Sequence, residues 1–175
     1  MTVTTALRDF AHFWSNQVER WQEEDTRHTE KSYAQQFWSD LLRCFGVIPE
    51  RIDLFERDAQ RATTGRGGYI DLFWTGVVIG EAKSLGKDLD VAEQQALDYL
   101  SGGSIGQHEF PKFVLVSDFA NIQLTKLGDE GWTVRFGVED TPDYVDQLMF
   151  LAGREEVTKK EEEEAEAMLE ELLAS

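Results

Sequence analysis

The sequence predicts an α/β fold with a central mixed β-sheet flanked by helices. Apolar side chains recur at helical spacing near the N-terminus, short strand-like runs fill the middle of the chain, and one helical pattern separates two groups of those runs. With 175 residues, 41% of them apolar, the chain can bury one sizeable core. We expect one domain over residues 1–154 and an acidic helical segment over residues 155–175.

Two helices are predicted first. Residues 4–22 carry an apolar stripe that we expect to face the core, and Thr29 fits the cap of a second helix that ends near Gly46. The first stripe consists of Leu7, Phe10, Ala11, Trp14, Val18 and Trp21, and the second of Tyr33, Phe37, Leu41, Cys44 and Phe45. The helices should therefore pack on the sheet by these stripes.

Three strands are predicted next, over residues 52–56, 69–74 and 77–83. The loop AQRATTGRGG should end the first strand, because it is rich in Gly, Thr and Arg. Its Arg61 and Arg66 could contact DNA phosphates, and a solvated turn is an equally good interpretation.

The second half of the chain predicts a third helix and a second group of strands. Asp90 and Glu93 form a capping box for a helix that runs to about Leu100. Residues 113–117 are typical of a buried strand, 122–127 and 132–138 of outer strands, and 141–152 of a helix that follows Pro142. A final acidic helix, residues 158–173, has four apolar side chains on one side and should need a partner. These four are Met168, Leu169, Leu172 and Leu173.

The second and third strands place Asp71, Glu81 and Lys83 where one hairpin could bring them together. Glu81 and Lys83 are two residues apart on a strand and must share a face. A two-residue turn would set Asp71 opposite Gly80 and send Glu81 to the wrong face. We therefore predict a three-residue loop or a bulge between Trp74 and Val77.

This constellation suits phosphodiester hydrolysis. A hard cation held by carboxylates can activate water and neutralise charge on a phosphate. Asp71 and Glu81 would hold Mg2+, with Mn2+ as a substitute, together with the Ala82 carbonyl, and Lys83 would orient the water or stabilise the phosphate. A solvated ion pair on a hairpin is the plainer alternative.

The order helix, three strands, helix, strand, with Asp71 followed after nine residues by Glu81-Ala82-Lys83, resembles the PD-(D/E)xK nuclease superfamily over about residues 29–127. The resemblance implies a restriction-endonuclease-like core in which Asp71 and Glu81 are metal ligands and Lys83 is catalytic. The residue before Asp71 is Ile70 instead of the Pro of that pattern.

Further positions resemble additions found in branches of that superfamily. Gln95 and Tyr99, four residues apart on the third helix, resemble the Gln-x-x-x-Tyr motif of RecB-like branches, which implies that Gln95 helps to orient the site. Gln94 could equally be the inward residue. Glu30 matches a helical carboxylate that some branches add to the site, although a carboxylate at a helix N-terminus is favourable in itself.

The segments KSYAQQFWSDLLRCFG, GYIDLFWTGVVIGEAKS and EQQALDYL resemble the N-terminal nuclease region of MmeI-type (type IIL) restriction-modification enzymes. This resemblance implies an endonuclease acting on double-stranded DNA, joined in a longer polypeptide to methyltransferase and target-recognition regions. The acidic helix would then begin a spacer. Cleavage of both strands would suit a dimer on DNA.

The net charge of −17 opposes unaided DNA binding, because clustered Lys and Arg supply most non-specific affinity. Residues 155–175 hold nine Glu and two Lys, a net of −7, which leaves −10 for the rest. We therefore expect other regions to hold the DNA. Two alternatives remain open: a repair or recombination nuclease of the same superfamily, and a non-catalytic acidic DNA mimic or scaffold.

The sequence also bounds the compartment. Cys44 is the single cysteine, so no intramolecular disulfide can form, and the N-terminus lacks the pattern of a secretory signal. No stretch is apolar and long enough to span a bilayer. We expect a cytoplasmic protein without membrane contact.

Overall fold

The fold is described from a computed structural model that covers residues 2–26, 29–49, 55–60, 67–103, 105–153 and 159–174. The side chains of residues 30, 31, 55–60, 67–69 and 159–165 are outside that description. The helices are α1 (Val3–Glu23), α2 (Thr29–Cys44), α3 (Leu89–Ser101), α4 (Val145–Leu148) and α5 (Lys159–Ala174). The strands are β1 (Phe55–Gln60), β2 (Gly67–Trp74), β3 (Val78–Ala82), β4 (Phe113–Ser117), β5 (Asn121–Lys126) and β6 (Trp132–Gly137).

The six strands form one sheet in sequence order, β1 to β6. Strands β3 and β4 are parallel and every other neighbouring pair is antiparallel. Helix α3 makes the crossover that a parallel pair requires, since it lies between β3 and β4 in the chain and packs on both. The predicted mixed sheet flanked by helices is confirmed.

Two apolar clusters cover the two faces of the sheet. On one face the stripes of α1 and α2 pack with residues 138–152 around Leu72 and Leu115. On the other face α3 packs against Ile79, Val114 and Val116. All six stripe residues predicted for α1 are buried, so its orientation toward the core is confirmed. In the second stripe Phe37, Leu41 and Phe45 are buried, whereas Tyr33 and Cys44 are half-buried.

An aromatic cluster joins the helical layer to the turn between β4 and β5. Phe119, fully buried in that turn, lies with its ring centroid 5.8 Å from that of Trp14, and 5.2 Å from those of Trp21 and Phe37. Its backbone φ is +74°, in the left-handed region that residues other than glycine rarely adopt. The ring contacts stabilise this conformation, together with the hydrogen bond that the Phe119 N–H donates to Ser117 Oγ at 2.9 Å.

The predicted first strand and the loop after it were wrong in their boundaries. Ladder pairing with β2 runs through Ala59↔Gly68 and Gln60↔Gly67, in a segment that the sequence assigned to a loop. Pairing here uses backbone groups, so it needs no apolar alternation. Residues 52–54, Arg61 and Arg66 lie outside the described residues.

The helical conformation predicted for residues 141–152 is confirmed, although most of these residues form 3-10 helix. Residues Val138–Tyr144 and Met149–Ala152 form 3-10 helices, and only the four residues of α4 between them are α-helical. Pro142 explains the late start, since proline has no N–H and disfavours the α conformation in the residue before it.

The acidic C-terminal helix lies close to its predicted position, as α5. Its apolar side chains, Met168, Leu169, Leu172 and Leu173, are 58% to 78% exposed. The predicted need for a partner and the predicted domain boundary at residue 154 stay predictions. Among the described residues, no helix combines the length and apolar character that crossing a membrane requires.

Candidate active site

The hairpin of β2 and β3 has the loop length that the site requires. Trp74 pairs with Val78, which leaves the three residues Thr75, Gly76 and Val77 as the loop. Gly76 has φ +74°, and the Val77 N–H donates to the Trp74 carbonyl at 2.9 Å. The predicted three-residue loop is therefore confirmed.

Asp71 is fixed against the end of β3. The paired register ends at Leu72↔Gly80, and the next position in that register sets Asp71 opposite Glu81. Beyond the ladder, the Ala82 N–H donates to Asp71 Oδ2 at 2.8 Å. The Asp71 carboxyl group thus replaces a backbone carbonyl as the hydrogen-bond acceptor beyond the end of the β2–β3 ladder. It lies beside the peptide between Glu81 and Ala82.

Glu81 and Lys83 meet on the face covered by α3. Glu81 pairs with Val116 of β4, which belongs to the α3-facing cluster, and paired residues share a face. Glu81 is 5% exposed, and Lys83 Nζ lies 3.9 Å from Glu81 Oε2. A carboxylate is therefore buried with an ammonium beside it, at the point where Asp71 turns its own carboxyl group toward β3.

The segment after Lys83 is held by the turn between β4 and β5. Strand β3 ends at Ala82, one residue before its predicted end, but the Lys83 N–H still donates to the Ser117 carbonyl at 2.7 Å. Asp118 Oδ2 accepts from the Gly86 N–H at 3.1 Å. Asp118 is 5% exposed, and the one sequence signal for this role is the frequent use of Asp in turns.

Helix α3 presents Gln95 as its inward glutamine. Gln94 is exposed, whereas Gln95 is half-buried and Tyr99 is 2% exposed within the α3-facing cluster. Gln95 Oε1 is buried and has no hydrogen-bond partner among the described residues. A buried oxygen of this kind calls for an additional ligand such as water or an ion. The open choice between Gln94 and Gln95 is thus resolved by burial.

The donor set of the site consists of two carboxylates. No group of three or more Asp, Glu, His or Cys side chains that could hold a metal lies within the part of the chain that the structure describes. Glu30 is the second residue of α2, and its side chain is not described, so its part in the site stays a prediction. Mg2+ is commonly bound by one or two carboxylates and several waters, so Asp71 and Glu81 fit it chemically.

A cavity lies at the N-terminal end of α3. Its volume is about 510 Å3, and it is lined by the segment Gly86, Lys87, Asp88, Leu89 and Asp90 and by Asp118, Asn121 and Arg135. Asp71, Glu81 and Lys83 do not line it, so the cavity does not contain the candidate site.

The architecture indicates a class of protein. A central mixed sheet flanked by helices is consistent with a restriction-endonuclease-like domain, and here it carries Asp71 within β2 beside Glu81 and Lys83 at the end of β3. The family model described as "MmeI, N-terminal domain" matches residues 5–174, and the chain belongs to that family. Neither a curated protein nor a solved structure matches the chain. Membership makes the chain a domain of a restriction-modification enzyme.

Proposed function

We propose that this domain is a Mg2+-dependent endonuclease of the PD-(D/E)xK superfamily that hydrolyses phosphodiester bonds of double-stranded DNA. The observation that carries the proposal is the convergence at one strand end. There the Asp71 carboxyl group bonds to the Ala82 N–H, and Glu81 lies beside Lys83. The restriction-modification context of the family supports DNA as the substrate.

Asp71 and Glu81 would hold Mg2+, with Mn2+ as a substitute. The bound cation supplies Lewis-acid activation of water and neutralises charge on the phosphate. Burial of Glu81 keeps its carboxylate away from competing solvent, and the Ala82 N–H fixes one Asp71 oxygen, so both acids are preorganised. They need little rearrangement before they can act.

Lys83 would act on the nucleophile or on the phosphate. Its ammonium has three donors and no acceptor, so it can hold an attacking water oxygen or a phosphate oxygen. It remains 23% exposed, which leaves it in reach of a substrate from solvent. Gln95, with its buried carbonyl oxygen, would orient a water or another ligand at the same site.

The acidic charge requires help with DNA binding. A net charge of −17 repels a polyanion, so methyltransferase and target-recognition regions of a longer polypeptide would hold the duplex. Two such domains, one for each strand, would act as a dimer on DNA.

The direct test is cleavage by the restriction-modification polypeptide that carries this domain. Glu81→Gln keeps shape and removes the charge, and Lys83→Met keeps most of the length and removes the ammonium. Each should lower the cleavage rate at least about a hundredfold while the polypeptide still binds its target. Arg8→Ala, on an exposed position of α1, serves as a control. Parental cleavage by Glu81→Gln would exclude the assigned site.

One other function is favoured by a specific observation. The charge of −17 suits a DNA mimic or an acidic scaffold that does no chemistry. Such a protein has no reason to bind a divalent cation at Asp71 and Glu81, so metal binding separates the two functions.

A repair nuclease of the same superfamily would be recognised by a preference for branched or single-stranded DNA in a substrate panel.

A further inference from the structure

Two sets of polar contacts join helix α3 to strands β5 and β6 on the face of the sheet that the helix covers. The predicted helix cap would not allow them. The N-cap is Asp88, which accepts from the N–H groups of Asp90 and Val91. The predicted capping box of Asp90 and Glu93 is therefore wrong. Both carboxylates are directed to β5 and β6 instead.

The first tether joins Asp90 to Gln123 and Arg135. Arg135 Nε donates to Gln123 Oε1 at 2.8 Å, and Arg135 Nη2 donates to Asp90 Oδ1 at 3.1 Å. Gln123 Nε2 also donates to Asp90 Oδ1 at 3.4 Å, and the Gln123 side chain is almost fully buried. These three side chains close a triangle of hydrogen bonds between the helix and two strands.

The second tether joins Glu93 to Thr125. The Thr125 hydroxyl donates to Glu93 Oε1, and its oxygen lies 2.9 Å from the Thr133 hydroxyl oxygen of β6. The two tethers are nearly one helical turn apart on α3, so together they oppose rotation of the helix about its own axis.

Both tethers lie on the flank of α3 opposite to Gln95. At 3.6 residues per turn, Gln95 is rotated by about 140° from Asp90 and by about 160° from Glu93. The buried stripe of Ala92 and Ala96 runs between these flanks. A roll of the helix on this narrow stripe would move Gln95 toward or away from the sheet, and the tethers prevent it.

The strands that carry the tethers are in register with the acidic site. Glu81 pairs with Val116, Val116 with Gln123, and Gln123 with Arg135. These four residues therefore form one row across the α3-facing side of the sheet. The row fixes the anchor points of the helix relative to the Glu81 carboxylate.

We propose that Thr125, Gln123 and Arg135 are positioning residues that lock the roll of α3 and thereby hold Gln95 at the acidic site. The lock rests on the proposed nuclease function. The Arg135–Asp90 ion pair is exposed and contributes little to stability, so the effect of losing it should be found in the reaction rate. Misplacement of a site residue by about 1 Å can cost up to about a hundredfold in rate.

The test compares matched variants in the restriction-modification polypeptide, with steady-state cleavage of target duplex in Mg2+. Thr125→Val removes the hydroxyl and should lower kcat about tenfold with KM unchanged, and Thr125→Ser should keep most of the rate. A role limited to strand stability predicts the reverse order, because valine favours strands more than serine does. Arg135→Ala should resemble Thr125→Val, and Arg8→Ala should match the parent.

The Gln95→Ala background gives the decisive comparison. If the lock acts through Gln95, Thr125→Val should change the rate less than about twofold in that background. An equal loss in both backgrounds would overturn the proposal, as would equal rates for Thr125→Val and Thr125→Ser. An Arg135→Ala variant with a raised KM that depends on salt would mean that Arg135 contacts DNA and would also overturn it.

The lock and the nuclease can fail separately. Parental cleavage by Glu81→Gln would overturn the nuclease and the lock together. An inactive Glu81→Gln with parental rates for Thr125→Val and Arg135→Ala would overturn the lock alone.

Discussion

Phe119 lies in the turn that holds Lys83, and we expect Phe119→Gly to be more stable than Phe119→Ala. At most positions glycine is the less stable of the two. Either Phe119→Ala or Phe119→Gly removes a fully buried ring from contact with Trp14, Trp21 and Phe37. The common cost is about 3 to 5 kcal/mol in the free energy of unfolding. The difference between the two variants then depends on the backbone.

The backbone difference can be estimated from φ +74°. A left-handed residue other than glycine costs about 1 to 2 kcal/mol. Glycine avoids that cost but loses about 0.4 to 1 kcal/mol through the entropy of the unfolded chain. The balance favours Phe119→Gly over Phe119→Ala by about 0.5 to 1 kcal/mol.

Urea unfolding followed by tryptophan fluorescence measures this difference as a shift in midpoint. The control pair is Phe113→Ala and Phe113→Gly in β4, where the ring stacks on Phe150 at 3.7 Å. There Phe113→Gly should be less stable than Phe113→Ala by about 0.5 to 1 kcal/mol, because a strand has no left-handed backbone strain for glycine to remove. A Phe119→Gly variant less stable than Phe119→Ala would refute the strain assigned to the turn.

Two further predictions concern titratable groups in the helical layer. Burial raises the pKa of the Asp40 carboxyl group, while its hydrogen bond from Trp14 lowers it. The folded state therefore binds this proton more tightly than the unfolded state, so Asp40 begins to cost stability as the pH rises through its unfolded pKa, and the full cost is present above its folded pKa. Asp40→Asn should be more stable than the parent at pH 7, and the gap in urea midpoint should close as the pH falls below about 3.9. A gap that widens toward acid would contradict this. Burial also raises the pKa of the Cys44 thiol to about 11. Folded Cys44 should then react with iodoacetamide at pH 7.5 about a hundredfold more slowly than in urea, because the thiolate is the reactive form. Equal rates by mass spectrometry would contradict this.

Local patterns in the sequence predicted much of the fold. The apolar run FVLVS corresponds to β4 residue for residue, and the stripe of α1 is buried as expected. The three-residue loop followed from strand parity together with the expectation that Asp71 and Glu81 share a site, which excludes the two-residue turn.

Other features depend on contacts between distant residues and could not be predicted. Asp88 and Asp90 are equally good caps by type, and the choice is made by Arg135, 45 residues further along the chain. The left-handed conformation of Phe119 depends partly on its ring contacts with the distant residues Trp14, Trp21 and Phe37, which the local sequence does not show. That Gln95 is half-buried while Gln94 is exposed likewise depends on how α3 is rotated against the sheet.

The proposed function requires that Asp71 and Glu81 share one divalent cation. Isothermal titration calorimetry with Mn2+ on the parent, on Asp71→Asn and on Glu81→Gln measures this binding. We expect one Mn2+ site for each parental domain and its loss in both variants, with Arg8→Ala unchanged. Parental Mn2+ binding in both variants, or no binding by the parent, would contradict it.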